Sequence, residues 1–395
     1  MNEYKNIIVQ PLASSTQENR FLLSYNGNYF EANHSIVELL NLLQESSTKE
    51  EAISSYIQKK KGKYTFQQIE KVINNIITPL FSASSPKHSF LYEKQLFRAN
   101  IIDKYSDILR FLFNNIYMST ILVITIILDL FFFFTTDDLI LFNNNANIYI
   151  VVGLLAFTLF SSFFHELGHA SACKFFGIQH GGIGFGLYLN FPVLYTDVTE
   201  VWKLNRKQRC IVNIAGIYFQ CYWLIGLLIS YIFTQNDFIR YLILTMNFGF
   251  LLTLNPFFKF DGYWIASDIL GVPNLRTRSL ELLKYWYKQL RKQPINRIPY
   301  LLQIQPIAKY GLLAYSIILN IFIGGYFFYI IPAFLLHFVK SFPDTVNELI
   351  FYLSNGMSPS FALLCNIGSQ LLFLVLIGYL FWKLVQPLVK RYVTK

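Results

Sequence analysis

The string His165-Glu166-Leu167-Gly168-His169 sets two metal-binding imidazoles and a carboxylate at a spacing suited to hydrolytic chemistry. On a helix, residues four apart share a face, so His165 and His169 can hold one ion while Glu166 reaches toward water polarised by it. The string follows directly on the apolar run 151–164, where a membrane-spanning helix is expected. Ionisable groups at such a depth are costly and mark function. Two ligands do not complete a zinc site, so a third donor must come from elsewhere in the chain.

The strongest candidate is Asp261, in Asn255-Pro256-Phe257-Phe258-Lys259-Phe260-Asp261-Gly262 at the end of another apolar run. Pro256 lacks a backbone donor and disfavours helix at Asn255, so the run should break just before Asp261 and leave a carboxylate at the membrane boundary. Asp197 and Glu200, ahead of Trp202, are rivals whose ordinary role is to cap a helix. His180 follows His169 too late for the spacing of a longer zinc motif. Asp129 is expected to turn into the bundle and bond there. Cys173 shares the helical face of His169 and reads as a packing residue. With Cys210, Cys221 and Cys365 it makes no Cys-x-x-Cys pair, so neither a disulfide framework nor a cysteine zinc site is indicated.

The elements that must position these groups lie in a membrane. Hydrophobic residues make up 54% of the 395, aromatics 18% and charged residues 14%, with a mean hydropathy of +0.38. Spans are expected at about 116–134, 148–164, 211–233, 241–258, 308–339 and 361–385, the fifth kinked at Pro332. Lys174, Lys203, Arg206, Lys207 and Arg209 fall between the second and third spans, and Arg276 to Arg297 between the fourth and fifth. The loops 135–147 and 341–360 hold no Lys or Arg. The positive-inside rule then places both termini in the cytoplasm and accounts for the net charge of +10 without nucleic acid. The polar opening, Met1 to Pro11, does not read as a signal peptide.

The first hundred residues differ. Residues 20–32 alternate around Tyr25-Asn26-Gly27-Asn28, the chemistry of a tight hairpin. Ser35 with Glu38, Thr48 with Glu51, and Thr65 with Gln68 each have capping-box spacing ahead of an apolar-periodic stretch. The expected fold is mainly α: a polytopic membrane protein of about six transmembrane helices with a small N-terminal α+β winged-helix-like cytoplasmic domain. Its parts are a recognition domain at 1–81, a linker and amphipathic lead-in at 82–115, a core at 116–262, a basic cytoplasmic loop at 263–306 and C-terminal helices at 307–395. Ser82-Ala83-Ser84-Ser85-Pro86 reads as the linker. In the stretch 181–192, Ile183, Phe185, Leu187 and Leu189 alternate with Gly184, Gly186, Tyr188 and Asn190. This suggests extended chain whose edge grips a substrate by strand addition near Gly184 and Gly186.

On the His165 to His169 string and the ordered Asn255-Pro256 to Asp261-Gly262 string, the chain resembles the site-2 protease family of intramembrane zinc metalloproteases over about 148–262. The resemblance implies Zn2+ held by His165, His169 and Asp261, with Glu166 as base and Asn255 near the substrate backbone. No polar insertion is long enough for the PDZ domain of many bacterial members. Over 7–81 the order of strands and helices resembles the peptide-binding recognition element of peptide-modifying systems, the fold of the pyrroloquinoline-quinone pathway's peptide chaperone, implying a leader peptide bound at a sheet edge. Together these point to a multi-pass protein of the bacterial inner membrane that matures or exports a ribosomally made, modified peptide such as a bacteriocin. A protease that releases a membrane-anchored regulator, and a non-catalytic peptide-binding or immunity protein, are the competing readings.

Overall fold

A computed structural model describes residues 2–82, 92–137, 139, 148–188, 191–294 and 299–393. The proposed linker beyond Ser82, and Leu189 and Asn190 of the alternating stretch, lie outside these residues. The chain is mainly helical and forms two compact units, one of Met1–Thr135 with Thr158–Ser316, the other of Thr136–Phe157 with Ile317–Lys395.

The first unit opens with strands β1 (Ile8–Leu12), β2 (Arg20–Tyr25) and β3 (Asn28–Asn33), antiparallel in that order. Asn26 and Gly27 turn the hairpin with φ of 46° and 78°, as the Asn-Gly pair requires. Helices α1 (His34–Glu45), α2 (Lys49–Lys59) and α3 (Phe66–Val72) follow. Thr65 and Gln68 make a complete capping box, and Thr48 Oγ1 accepts from the Glu51 amide. The first cap differs from expectation: Asn33, not Ser35, accepts from Ile36. β3 runs through Asn33, so the helix starts where the strand stops. Leu23, Leu40, Ile53, Ile73 and Ile77 form the core of this domain.

Strand β4 (Glu93–Phe97) and helix α4 (Ala99–Leu109) lead to α5 (Asn115–Thr135) and α6 (Ile148–Phe175), and then strands β5 (Ile183–Tyr188) and β6 (Phe191–Thr196) precede α7 (Arg206–Thr234). α8 (Asp237–Thr253), α9 (Asp261–Leu270) and α10 (Leu275–Leu290) follow. Among the described residues five helices are long and apolar enough to cross a membrane, one fewer than expected. The expected span 241–258 becomes α8, whose 17 residues end at Thr253, capped by Leu254, before Asn255 and Pro256 take over. The stretch 263–306, expected as a basic connection between spans, is largely helical, since α9 and α10 occupy most of it.

The chain passes into the second unit within α11 (Pro306–Gly325), and α12 (Ile331–Ser354) follows after a π-helical turn at Tyr326–Ile330. Pro332 closely follows this π-helical turn, which makes room for a residue without an amide inside the helical run, and the helix goes on to Ser354. The acid-bearing stretch 341–360 is therefore helical for most of its length. α13 (Phe361–Val393) packs on α12 through Phe373 and Phe334, 4.3 Å between ring centroids.

Candidate metal centre

The site begins where α6 and α7 touch. Ala170, Cys173, Ala215 and Tyr218 are buried in their shared core, and Gly168 lets the helices meet. A Cβ on Gly168 would stand 2.9 Å from the Ala215 carbonyl carbon. One turn away a Cβ on Gly216 would lie 2.5 Å from His165 Nδ1. Small residues at a membrane helix crossing give close backbone approach; here the space left by Gly216 is filled by the His165 ring.

Both imidazoles are oriented from behind. His169 Nδ1 lies 2.7 Å from the Val212 carbonyl, and His165 Nδ1 lies 3.1 Å from Gln220 Oε1. Gln220 is fixed in turn, because its Nε2 donates to Ser161 Oγ at 2.8 Å. A carbonyl oxygen only accepts, so each Nδ1 carries the proton and each Nε2 turns a lone pair to the other side. Those two Nε2 atoms are 3.1 Å apart. Asp261 Oδ2 stands 3.0 Å from the His165 nitrogen and 3.3 Å from that of His169.

Three lone-pair donors thus face one another in a triangle, and Asp261 Oδ2 is a buried atom with no hydrogen-bond donor of its own. Tetrahedral zinc with bonds of about 2.0–2.1 Å holds its ligand atoms roughly 3.3 Å apart. The chain's own atoms fit such an ion, which neutralises the charge and engages all three lone pairs. Glu166 also offers a donor within 4.8 Å of both histidines. Asp261 is the closer fit as third ligand, which leaves the buried Glu166 carboxylate beside the triangle.

Asp261 reaches the triangle because α9 is clamped to α7. Asp268, seven residues on, accepts from Arg209 Nε at 2.6 Å and Asn213 Nδ2 at 3.1 Å, all three groups being buried. Gly262 lets the start of α9 press on the end of α8; a Cβ there would fall 2.7 Å from Leu254 Cα. Asn255 Oδ1 accepts from the Phe257 amide at 2.8 Å, closing the turn between α8 and α9.

The rival ligands are engaged elsewhere. His180 is paired with Ser106 and Asp103, and Asp197 accepts from the Thr199 amide and hydroxyl as a cap does. Glu200 accepts from Gln179 and Lys203. Asp129 accepts from Asn247 at 2.8 Å within the bundle, and Cys173 is fully buried packing.

One expectation is overturned. β5 is no edge: it is the middle strand, hydrogen-bonded to β4 on one side and β6 on the other. Gly184 and Gly186 therefore have no free ladder to offer. At Gly184 the missing side chain makes room for Tyr195, whose hydroxyl would be 2.7 Å from an added Cβ. β6 is an edge strand, and Thr196 at its end donates to the Glu166 carbonyl at 3.1 Å.

Gln220, Gly216 and the Arg209–Asp268 pair were missing from the sequence reading. A signal was present: Asn213, Gly216 and Gln220 stand at i, i+3 and i+7, a polar and small stripe along an otherwise apolar span. Gln220→Leu, which keeps the volume and removes the acceptor behind His165, should weaken zinc binding by roughly 10–100-fold in a chelator competition. Unchanged affinity would remove Gln220 from the site.

With this geometry in place, the chain can be set beside known proteins. It is similar to a zinc metalloprotease. Over 111 residues it is 31% identical to a Bacillus subtilis (strain 168) protein named "Putative peptide zinc metalloprotease protein YydH", covering 27% of this chain and 44% of the other. The chain thus spans less than half the length of that relative. No family model matches the chain, and no solved structure matches it.

Proposed function

We propose that the protein is an intramembrane zinc metalloendopeptidase of the site-2 protease type. It cuts a peptide or membrane-associated substrate near the cytoplasmic face of the bacterial inner membrane. The observation that carries this reading is the triangle of His165 Nε2, His169 Nε2 and Asp261 Oδ2, with a buried carboxylate beside it.

His165, His169 and Asp261 would hold the ion. Zinc bound there would supply a Lewis acid that polarises a carbonyl and acidifies water. Glu166 Oε takes the proton from the attacking water and delivers it to the departing amine nitrogen. Asn255, at the turn that delivers Asp261, is within the stretch from which the substrate backbone is bonded. Helical hydrogen bonds cover a scissile amide, so the substrate must be extended. The β6 edge, tied to Glu166 through Thr196, is the strand for it to pair with.

The N-terminal domain supports the narrower reading, in which a leader peptide of a ribosomally made, modified peptide is bound there during maturation or export. After a short helix at Asn2–Lys5 its three strands precede its three longer helical stretches, the order expected from the sequence. The basic residues Lys203 to Arg209, just before α7 and in its first turn, favour a cytoplasmic position for this end of α7 and the adjoining end of α6.

The test uses the full chain purified in detergent. About one zinc per chain is expected, with cleavage of peptides encoded beside its gene, loss of cleavage on chelation and recovery on adding zinc back. A chain that binds no zinc overturns the reading; one that binds zinc and cuts nothing leaves a peptide-binding protein.

A further inference from the structure

The far end of the helix that begins with Asp261 is closed by the N-terminal domain. The last four carbonyls of a helix have no partner inside it. At the end of α9, those of Asp268 and Ile269 accept from Arg206. That of Leu270 accepts from Ser15 Oγ at 2.6 Å, and that of Gly271 accepts from the Ser15 amide at 2.9 Å. Gly271 has φ 63°, and an added Cβ would lie 2.7 Å from Arg206 Cζ and collide with the Ser15 hydroxyl. Its bare backbone is what lets the loop in.

The loop between β1 and β2 is pinned on its other side as well. The Gln305 amide donates to the Ser15 carbonyl and the Gln17 amide donates to the Gln303 carbonyl, both at 2.9 Å. Arg20 adds a bond to Gln303 Oε1 at 3.0 Å, and Arg278 pairs with Glu31 at 3.4 Å. Ser15 and Thr16 are buried. Such a seat exceeds what a loosely tethered recognition domain needs.

We propose that the β1–β2 loop is a positioning element of the metal centre: Ser15 holds the C-terminal end of α9, and so sets where the Asp261 carboxylate stands against His165 and His169. This rests on the zinc reading above. α9 has ten residues, about 15 Å at 1.5 Å per residue, and moves as one body, so a shift at Leu270 is felt at Asp261. The coupling is reciprocal: metal in the site steadies the loop as much as the loop favours the metal. A peptide that moved this domain on binding would thereby alter the site.

Zinc affinity of the full chain in detergent, by chelator competition, and the visible spectrum of its Co2+ form test this. Ser15→Ala should weaken zinc by roughly two- to tenfold, the range for one lost hydrogen bond, and shift the cobalt bands. Ser14→Ala, whose hydroxyl bonds to Thr16 within the loop, should do neither. In the unaltered protein, zinc should slow hydrogen exchange at the Ser15 and Gln17 amides. Wild-type affinity and spectrum in a folded Ser15→Ala protein overturn the proposal. Should that variant not fold, exchange rates indifferent to zinc overturn it in the wild type. A wild type that binds no zinc fails at the metal centre itself, which separates the two readings.

Discussion

Glu166→Gln should keep about one zinc per chain and cut peptides about 10²–10⁴-fold more slowly, the range for loss of a general base. The amide has nearly the volume of the carboxylate it replaces, so the packing between α6 and α7 is kept. The Glu166 carbonyl still accepts from Thr196, because that bond belongs to the backbone. What changes is proton affinity: an amide cannot take a proton from water at neutral pH. Zinc content read by mass spectrometry and initial rates of cleavage separate the two roles. A variant that loses zinc together with activity would make Glu166 a ligand, and one that keeps its rate would not be missing its base.

Asp261→Ala should lower zinc affinity on the order of a thousandfold. Binding free energies of roughly 10–16 kcal/mol at structural zinc sites, spread over the protein ligands, give about 4 kcal/mol for one of them. The two imidazoles left behind remain fixed by Val212 and Gln220, so the residual site has two nitrogens, with the Glu166 carboxylate the nearest remaining anion. Asp197→Ala and Glu200→Ala serve as controls, since both carboxylates are occupied in capping and pairing contacts away from the triangle. Full affinity in Asp261→Ala would reopen the search for the third ligand.

What could be read in the sequence follows the range of the interactions. The ligands His165 and His169 sit four residues apart, and Asp261 follows a proline-broken span, so local rules locate all three candidates. The Asn26-Gly27 hairpin and the Thr65–Gln68 box were legible for the same reason. The strand pairing was not. β4 lies about ninety residues before β5, is short and wholly exposed, and carries no alternation that would announce a partner. Arg209 was read as one more cytoplasmic charge, because its neighbours in sequence are basic. Its neighbour in space is Asp268, 59 residues on, and that buried pair helps aim α9. α8 fell short of a full span because Asn255 bonds its own turn rather than continuing the helix.

The hollow that Gly216 leaves for the His165 ring carries a lesson for anyone redesigning the centre. Ligand and glycine are two halves of one volume. Exchanging the imidazole for a smaller carboxylate, to favour a harder metal, would open a void between the helices; filling it with a methyl on Gly216 would restore contact. With a metal bound at the proposed site, preference would be a matter of shape as well as of donor atoms, and the two positions would have to be redrawn as a pair.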